Sequence, residues 1–195
     1  MIIKEILIII AVILAAGPIL SLAVMISLPA GPRNGLTSMT IEEAVAVLHS
    51  RDLEGWELVA AATNMVNDRM LYCRRNNLQH YRRAFSRGLG FCQQQAFALS
   101  NILHRLGFNA RPVKAVRCRF PDNSIGGHSW VEIRYAGERR YVDPLLQDRN
   151  TGALRFEAIS RVSGFSLPFR VFSSWSSAMI NALVYLWTGS DKIRF

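Results

Sequence analysis

The chain has 195 residues, of which 50% are hydrophobic, a formal net charge of +9 and three cysteines. This length suits one hydrophobic core of ordinary size. Three cysteines are too few for a disulfide scaffold, and their spacing is not that of a zinc site. The basic residues are accompanied by no recognisable nucleic-acid-binding motif, so we expect no nucleic-acid partner.

The amino-terminal part of the chain is strongly apolar. From Ile6 to Leu28 the sequence ILIIIAVILAAGPILSLAVMISL carries no charge, and it is longer than the roughly 20 residues that cross a bilayer core. This run predicts a single membrane anchor, which with the start of a Pro/Gly linker occupies residues 1–32. A cleaved signal peptide is the alternative, although its apolar region is normally only about 7–15 residues long.

The charges beside this run bear on the orientation of the anchor. One lysine or arginine stands on each side, Lys4 before it and Arg33 after it, and Glu5 cancels Lys4. The free amino group makes the first flank slightly more positive, which favours a cytoplasmic amino terminus. We therefore expect a single-pass membrane protein whose main domain, residues 33–165, is extracytoplasmic.

Two helices and a basic segment are predicted before the centre of the chain. The first helix begins at a capping box formed by Thr40 and Glu43, and the second runs from about Trp56 to Tyr72. Their inward-facing residues are expected to be Ile41, Val45 and Leu48 in the first, and Trp56, Val59, Val66 and Met70 in the second. The basic segment that follows contains no acid and would suit an anionic lipid or polymer beside a membrane; a solvated face without a partner is the alternative. Its arginines are Arg74, Arg75, Arg82, Arg83 and Arg87.

The stretch GFCQQQAFALSNILHRLGFNARPV, Gly90 to Val113, predicts a helix that opens with a cysteine. The helix is expected to run from Cys92 to about Leu106 and to stop at Gly107. Its inward face would consist of Cys92, Ala96, Leu99, Leu103 and Leu106. Because unpaired amides and the helix dipole favour an anion at this end, Cys92 is placed where a thiolate nucleophile would be stabilised. A small buried structural thiol is the alternative for this residue taken alone.

Three strands are predicted after this helix. They run from Arg111 to Phe120, from Ser129 to Tyr135 and from Arg139 to Asp143, with the last two joined by a turn at Ala136 and Gly137. Alternation places Val116, Cys118 and Phe120 on one side of the first strand, and Val131, Ile133, Tyr135 and Val142 on the core face of the hairpin. The expected fold is therefore α+β, with helices packed on an antiparallel sheet.

His128 and Asp143 lie on the other face of this hairpin, together with Trp130, Glu132 and Tyr141. A two-residue turn makes His128 and Asp143 direct or diagonal neighbours within about 8 Å, whereas a three-residue turn would separate them onto opposite faces. His49, His80 and His104 are the other histidines, and none of them has a carboxylate predicted within reach. His128 is therefore the expected partner of the thiol.

The carboxyl-terminal segment, residues 166–195, is mostly apolar but is interrupted by several serines. It is expected to pack on the domain or to lie in the membrane interface; a second crossing is a weaker alternative. In an oxidising compartment Cys73 and Cys118 could pair and leave Cys92 free, whereas in a reducing one all three would stay thiols.

Three ordered sequence blocks, between about Gly88 and Leu145, resemble the transglutaminase-like superfamily, a branch of the papain-like cysteine enzymes. The blocks are the cysteine-led helix that ends in Leu-Gly and continues as Ala-Arg-Pro-Val, then Gly-Gly-His-Ser-Trp-Val-Glu, then Tyr-Val-Asp-Pro-Leu. The resemblance implies a papain-like core with a triad of Cys92 as nucleophile, His128 as general base and acid, and Asp143 as the residue that orients the imidazole. It also implies acyl transfer through a thioester, from a peptide amide to water or to an amine.

The same resemblance suggests supporting residues. Trp130 would shield the histidine, or would simply pack on the strand. The oxyanion would be bound by the amides of Cys92 and Gln93, with the side chain of Gln79 as a further candidate. The sequence contains no acidic loop of calcium-binding type, so we expect neither a metal nor a cofactor.

Two other functions fit parts of the pattern. The first is a membrane-tethered binding or scaffolding domain that keeps the fold without turnover. The second is an acyltransferase of the arylamine N-acetyltransferase type, whose Arg-Gly-Gly-x-Cys entry is loosely similar to Arg87–Cys92. The blocks around His128 and Asp143 fit the transglutaminase-like pattern better.

Overall fold

The computed structural model describes Glu5, residues 37–73, residues 79–165 and, near the carboxyl terminus, residues 176, 180 and 184–189. The predicted anchor and most of the predicted carboxyl-terminal segment lie outside the described residues. Within the described ranges, no helix has the length and apolar character needed to cross a bilayer.

The helices of the described domain come first in the chain and the main sheet follows. The helices are α1 (Ile41–His49), α2 (Gly55–Arg69), α3 (Tyr81–Arg87) and α4 (Cys92–Arg105). The main sheet contains β3 (Asn109–Arg119), β4 (Ile125–Tyr135), β5 (Glu138–Val142), β6 (Glu157–Ala158) and β7 (Ser163–Gly164), while β1 (Leu71–Tyr72) and β2 (Leu89–Gly90) form a separate parallel pair.

The main sheet is antiparallel and curled, and α4 packs against it. Its strand order is β5-β4-β3-β6, and β7 also pairs with β3. The main core lies between the sheet and the helices and includes Leu99 and Leu103 of α4 together with Val131 and Ile133 of β4. The predicted α+β class, with helices on an antiparallel sheet, is confirmed.

The helices follow the predicted pattern with two adjustments. The capping box of Thr40 and Glu43 is present, because the Glu43 amide donates to Thr40 Oγ1 at 3.1 Å and the Thr40 amide donates to Glu43 Oε2 at 2.6 Å. In α1, Ala44 rather than Val45 is fully buried. Helix α2 ends at Arg69 instead of Tyr72, since Leu71 and Tyr72 leave the helix to pair with β2.

The hairpin of β4 and β5 has the two-residue turn on which the site prediction depends. Tyr135 pairs with Glu138, and the φ angles of Ala136 and Gly137 are 50° and 80°. Two left-handed central residues are the signature of a type I′ turn, whose twist matches that of the strands. In this register Val131 pairs with Val142, so Asp143 is the diagonal neighbour of His128 on the same face.

Strand β3 departs from simple alternation. Its pairing with β4 shifts between Ala115 and Cys118, where an extra residue forms a β-bulge. Both Ala115 and Cys118 are therefore buried, whereas Val116 is 67% exposed. The prediction that Val116 shares a buried side with Cys118 is wrong, because the bulge changes the phase of the strand.

A second apolar cluster covers the opposite face of the sheet. It contains Val113, Ala115, Cys118 and Trp130, with Phe120, Tyr141, Phe156 and Val162 packed against them. Two of these residues, Phe156 and Val162, come from the chain that follows Asp143 and returns to pair with β3 through β6 and β7. Strand β4 is consequently buried on both faces around Trp130 and Val131.

The turn of this hairpin provides a stability test with a matched control. A Cβ atom added at Gly137 or at Gly164 meets no described atom within 4 Å, but only Gly137 has a positive φ. We expect Gly137→Ala to lower the free energy of unfolding by about 1 kcal/mol, the cost of a left-handed alanine. Gly164→Ala should leave it unchanged or raise it slightly. Urea unfolding measures both, and equal effects would contradict the assigned turn.

Candidate active site

Helix α4 begins at Cys92, shortly after the short strand β2. Gln94, in the first turn of α4, accepts the Phe91 amide at 3.2 Å, and Gln95 donates from Nε2 to the carbonyls of Met70 and Gly90 at 3.1 and 3.2 Å. These bonds connect the helix start to β2 and to the end of α2. They fix the backbone position of Cys92, the first residue of α4.

Close packing around Gly90 leaves little room for a side chain. A Cβ atom at Gly90 would lie 2.5 Å from Met70 Cε and 3.2 Å from Gln94 Cβ. Such distances are well below ordinary van der Waals contact. The glycine before Phe91 and Cys92 therefore allows the chain to enter the helix beside α2.

His128 and Asp143 form a buried hydrogen-bonded pair. Nε2 of His128 lies 2.6 Å from Oδ2 of Asp143, and the two residues are only 4% and 1% exposed. The other carboxylate oxygen, Oδ1, accepts the Leu145 amide at 2.9 Å, and the Asp143 amide donates to Gln147 Oε1 at 2.8 Å. The carboxylate is therefore held in one orientation by the chain that follows it.

The imidazole of His128 also interacts with the side chain of Cys92, and this interaction favours the charged form of the ring. Because Nε2 is occupied by Asp143, Nδ1 is the ring nitrogen left for Cys92. Burial favours the neutral imidazole, but Asp143 and Cys92 outweigh this and raise the pKa of His128 from 6.5 to about 10. The ring is therefore an imidazolium at neutral pH and can donate to both partners. Of the three residues predicted to form a triad, His128 and Asp143 are therefore in direct contact, and Cys92 lies close enough to influence the imidazole.

Aromatic side chains enclose the imidazole. The ring of Trp130 is stacked on it at a centroid distance of 6.0 Å, and Phe156 and Phe120 meet it edge-on at 4.7 and 5.8 Å. They exclude water from the His128–Asp143 pair and thereby strengthen it. Trp130 therefore lies against the imidazole, where a shielding residue was expected. Sequence reasoning missed Phe156, which lies 28 residues beyond His128 in a segment without a recognisable pattern.

The oxyanion candidates are placed around the first turn of α4. The amides of Cys92 and Gln93 belong to the first turn, where N–H groups have no acceptor inside the helix. The main chain of Gln79 also reaches this turn, since Gln94 Nε2 donates to its carbonyl at 2.5 Å. The side-chain oxygen of Gln79, Oε1, is buried and has no hydrogen-bond partner among the described residues.

Cys118 is a second thiol beside the triad that sequence reasoning did not place there. Burial, and then the charges of Cys92 and Asp143, raise its pKa to about 11, so it remains a neutral thiol. None of the three cysteines forms a disulfide, and Cys73 and Cys118 are buried while Cys92 is partly exposed. The pairing of Cys73 with Cys118 that an oxidising compartment would allow is not formed.

The basic segment before α4 is only partly within the described residues. Arg74 and Arg75 lie outside them, while Arg82 and Arg83 are exposed on α3. Glu42 of α1 lies 3.6 Å from Arg82 and 2.9 Å from Arg105. A carboxylate distant in the sequence therefore partly neutralises a segment that contains no acid of its own.

Comparison with known proteins does not place this chain in a family. No protein-family model matches it, and no curated protein matches it.

The site predicts a large difference in reactivity among the three thiols. Cys92 is partly exposed and interacts with the imidazole of His128, whereas Cys73 and Cys118 are 2% and 0% exposed. We expect iodoacetamide to alkylate Cys92 roughly tenfold or more faster than the other two in the folded chain. Peptide mapping by mass spectrometry gives the three rates, and equal rates would contradict the assignment.

The raised pKa of His128 predicts a pH-dependent contribution to stability. Because the folded-state pKa of about 10 exceeds 6.5, this contribution is complete below about pH 6.5 and is lost as the pH rises through about 10. The difference in unfolding free energy between the native chain and His128→Gln should therefore shrink across this range. His49→Gln, at an exposed position, should show no such trend. A difference independent of pH would mean that His128 is not charged in the folded state.

Proposed function

We propose that this chain is a membrane-anchored cysteine enzyme of the transglutaminase-like type, acting on peptide amides by hydrolysis or acyl transfer. The observation that carries the proposal is the buried 2.6 Å contact between His128 and Asp143. The interaction of Cys92 with the same imidazole, which raises the pKa of His128, supports it. Three residue types with these mutual contacts are what nucleophilic acyl chemistry requires.

The chemistry follows from these contacts. The Cys92 thiolate attacks the carbonyl carbon of an amide, a C–S bond forms, and the carbonyl electron pair moves onto oxygen. The imidazolium of His128 then gives its proton to the leaving amine as the C–N bond breaks, which leaves a thioester. Water or an amine attacks this thioester, its proton passes to His128, and the C–S bond breaks to restore the thiolate.

The other residues have supporting roles in this scheme. Asp143 keeps Nε2 of His128 in place, so that Nδ1 remains directed at the sulfur. First-turn amides of α4 would donate to the oxyanion, as donors fixed before the reaction lower its barrier without reorganisation. Trp130 and Phe156 keep water away from the charged pair.

The order of elements also supports the transglutaminase-like type. A helix led by the nucleophile precedes an antiparallel sheet whose next strands provide the histidine and then the aspartate. The apolar run from Ile6 to Leu28 would attach this domain to a membrane, with the domain on the extracytoplasmic side.

Replacement of the nucleophile tests the proposal. The full-length chain in uncharged detergent would be incubated with a tryptic digest of a proteome, with and without a fluorescent primary amine. We expect new cleavage products or amine adducts, which mass spectrometry detects, and we expect Cys92→Ala to lose them by a factor of about 10³ or more.

Cys73→Ala is the matched control, since it removes a buried thiol outside the triad. It should retain the activity if the variant folds, which a thermal melt establishes. The same products with Cys92→Ala, or none with the native chain and any acceptor, would contradict the proposed function.

A further inference from the structure

The face of the sheet that carries His128 and Asp143 continues into a row of arginines. The strand register places Arg111 opposite Glu132, and Glu132 opposite Tyr141. One step further along, Arg134 lies opposite Arg139. Since side chains two residues apart share a face, Arg111, Arg134 and Arg139 stand on the same face as the catalytic pair. We call these three residues the arginine row.

Buried contacts hold the arginine row in place. Glu132 is 3% exposed, and its Oε1 accepts from Arg111 at 3.0 Å and from Arg134 at 3.2 Å. The hydroxyl of Tyr141 donates to Oε2 of Glu132 at 3.3 Å, and the guanidinium carbon of Arg139 lies 5.9 Å from the centroid of the Tyr141 ring. One carboxylate and one aromatic ring thus fix the directions of three side chains.

These contacts leave positive charge facing solvent. The side chains of Arg111 and Arg134 are 55% and 57% exposed although both contact a buried carboxylate. Arg111 and Arg134 share the carboxylate of Glu132, while Arg139 contacts the Tyr141 ring. Three positive charges and one negative charge therefore leave a net charge of +2 within this group. Arg134 contacts Glu132 through Nε.

The arrangement is unfavourable for the sheet alone. Arg134 and Arg139 are direct cross-strand neighbours, and like charges in that position repel. A bound anion would relieve this repulsion, and a carboxylate matches the planar fork of a guanidinium with two parallel hydrogen bonds. The arginine row is therefore complementary to carboxylates.

The distance from the arginine row to the triad suits an extended peptide. Glu132 is four residues along β4 from His128, and Arg134 is six. At about 3.3 Å per residue these separations are roughly 13 and 20 Å. Trp130 lies between His128 and Glu132 on this face and is covered by Phe156, so the peptide would run over this apolar cluster. An extended peptide has almost the same rise per residue as a strand, so its side chains four to six positions from the reacting amide would reach the row.

On this basis we propose that the arginine row is a substrate-binding subsite that selects acidic peptide segments. Resting on the proposed function, it specifies the substrate class: peptides with glutamate or aspartate about four to six residues from the amide that Cys92 attacks. A peptide is favoured over a lipid headgroup because the row lies on the face of the catalytic pair, at a separation that one extended chain spans.

A binding experiment tests this subsite without turnover. Fluorescein-labelled deca-glutamate would be titrated into the full-length Cys92→Ala chain in uncharged detergent, and anisotropy would give the affinity. Adding Arg134→Gln and Arg139→Gln should weaken binding by about tenfold or more, which is about 1.4 kcal/mol. The control adds Arg51→Gln and Arg161→Gln, which remove the same charge at exposed positions outside both the row and the basic segment. Binding to the control should change less than twofold.

Two outcomes would overturn the subsite. Equal weakening by both double variants would show that only total charge matters. Binding of phosphatidylglycerol in mixed micelles that depends on Arg134 and Arg139, without binding of deca-glutamate, would assign the row to lipid. Because the Cys92→Ala background has no nucleophile, these results are independent of catalysis.

Turnover separates the subsite from the proposed function. On acidic peptides the Arg134→Gln/Arg139→Gln chain should have a raised KM and an unchanged kcat, because the row contacts substrate far from the reacting amide. Loss of the acidic preference with activity retained supports the subsite. An active native chain without preference for acidic peptides would overturn the subsite and leave the proposed function standing.

Discussion

The site depends on one buried electrostatic contact, between the imidazole of His128 and the carboxylate of Asp143. In water such a pair would contribute little, but here both groups are buried and aromatic rings surround the imidazole. A low local dielectric strengthens the contact and makes an unpaired partner costly. The pair therefore selects the charged form of the histidine, and a charged histidine is the partner that a thiolate at Cys92 requires.

The fold supplies each part of this contact from a different element. Helix α4 places the sulfur at its amino terminus, and the type I′ turn sets the register that makes His128 and Asp143 diagonal neighbours. The chain after Asp143 contributes the amide of Leu145 to the carboxylate and the ring of Phe156 to the imidazole. The same face then extends to the arginine row, so that catalysis and the proposed substrate selection share one sheet.

Much of this arrangement could be predicted from the sequence because it depends on local patterns. The capping box, the glycine after α4 and the two-residue turn are short-range signals, and the turn alone fixes the relation of His128 to Asp143. The three ordered blocks then gave the candidate residues of the site. The fold class and the expected positions of the triad could therefore be predicted from local sequence patterns.

The remainder could not be predicted because it depends on contacts between distant segments. The bulge that exposes Val116 follows from the pairing of β3 with β4, which alternation along one strand does not contain. Phe156 reaches His128 only because β6 and β7 bring its segment back to β3. Glu42 similarly meets the basic segment through helix packing, and nothing in either local sequence indicates that contact.

The charge state of His128 gives the most direct test of this account. Nitrogen-15 NMR of the histidine-labelled full-length chain at about pH 8, with His128→Gln for assignment, shows how many ring nitrogens carry a proton. The account predicts that both nitrogens of His128 are protonated, as its pKa of about 10 requires. A neutral ring with one bare nitrogen at this pH would contradict the charged pair on which the proposed chemistry depends.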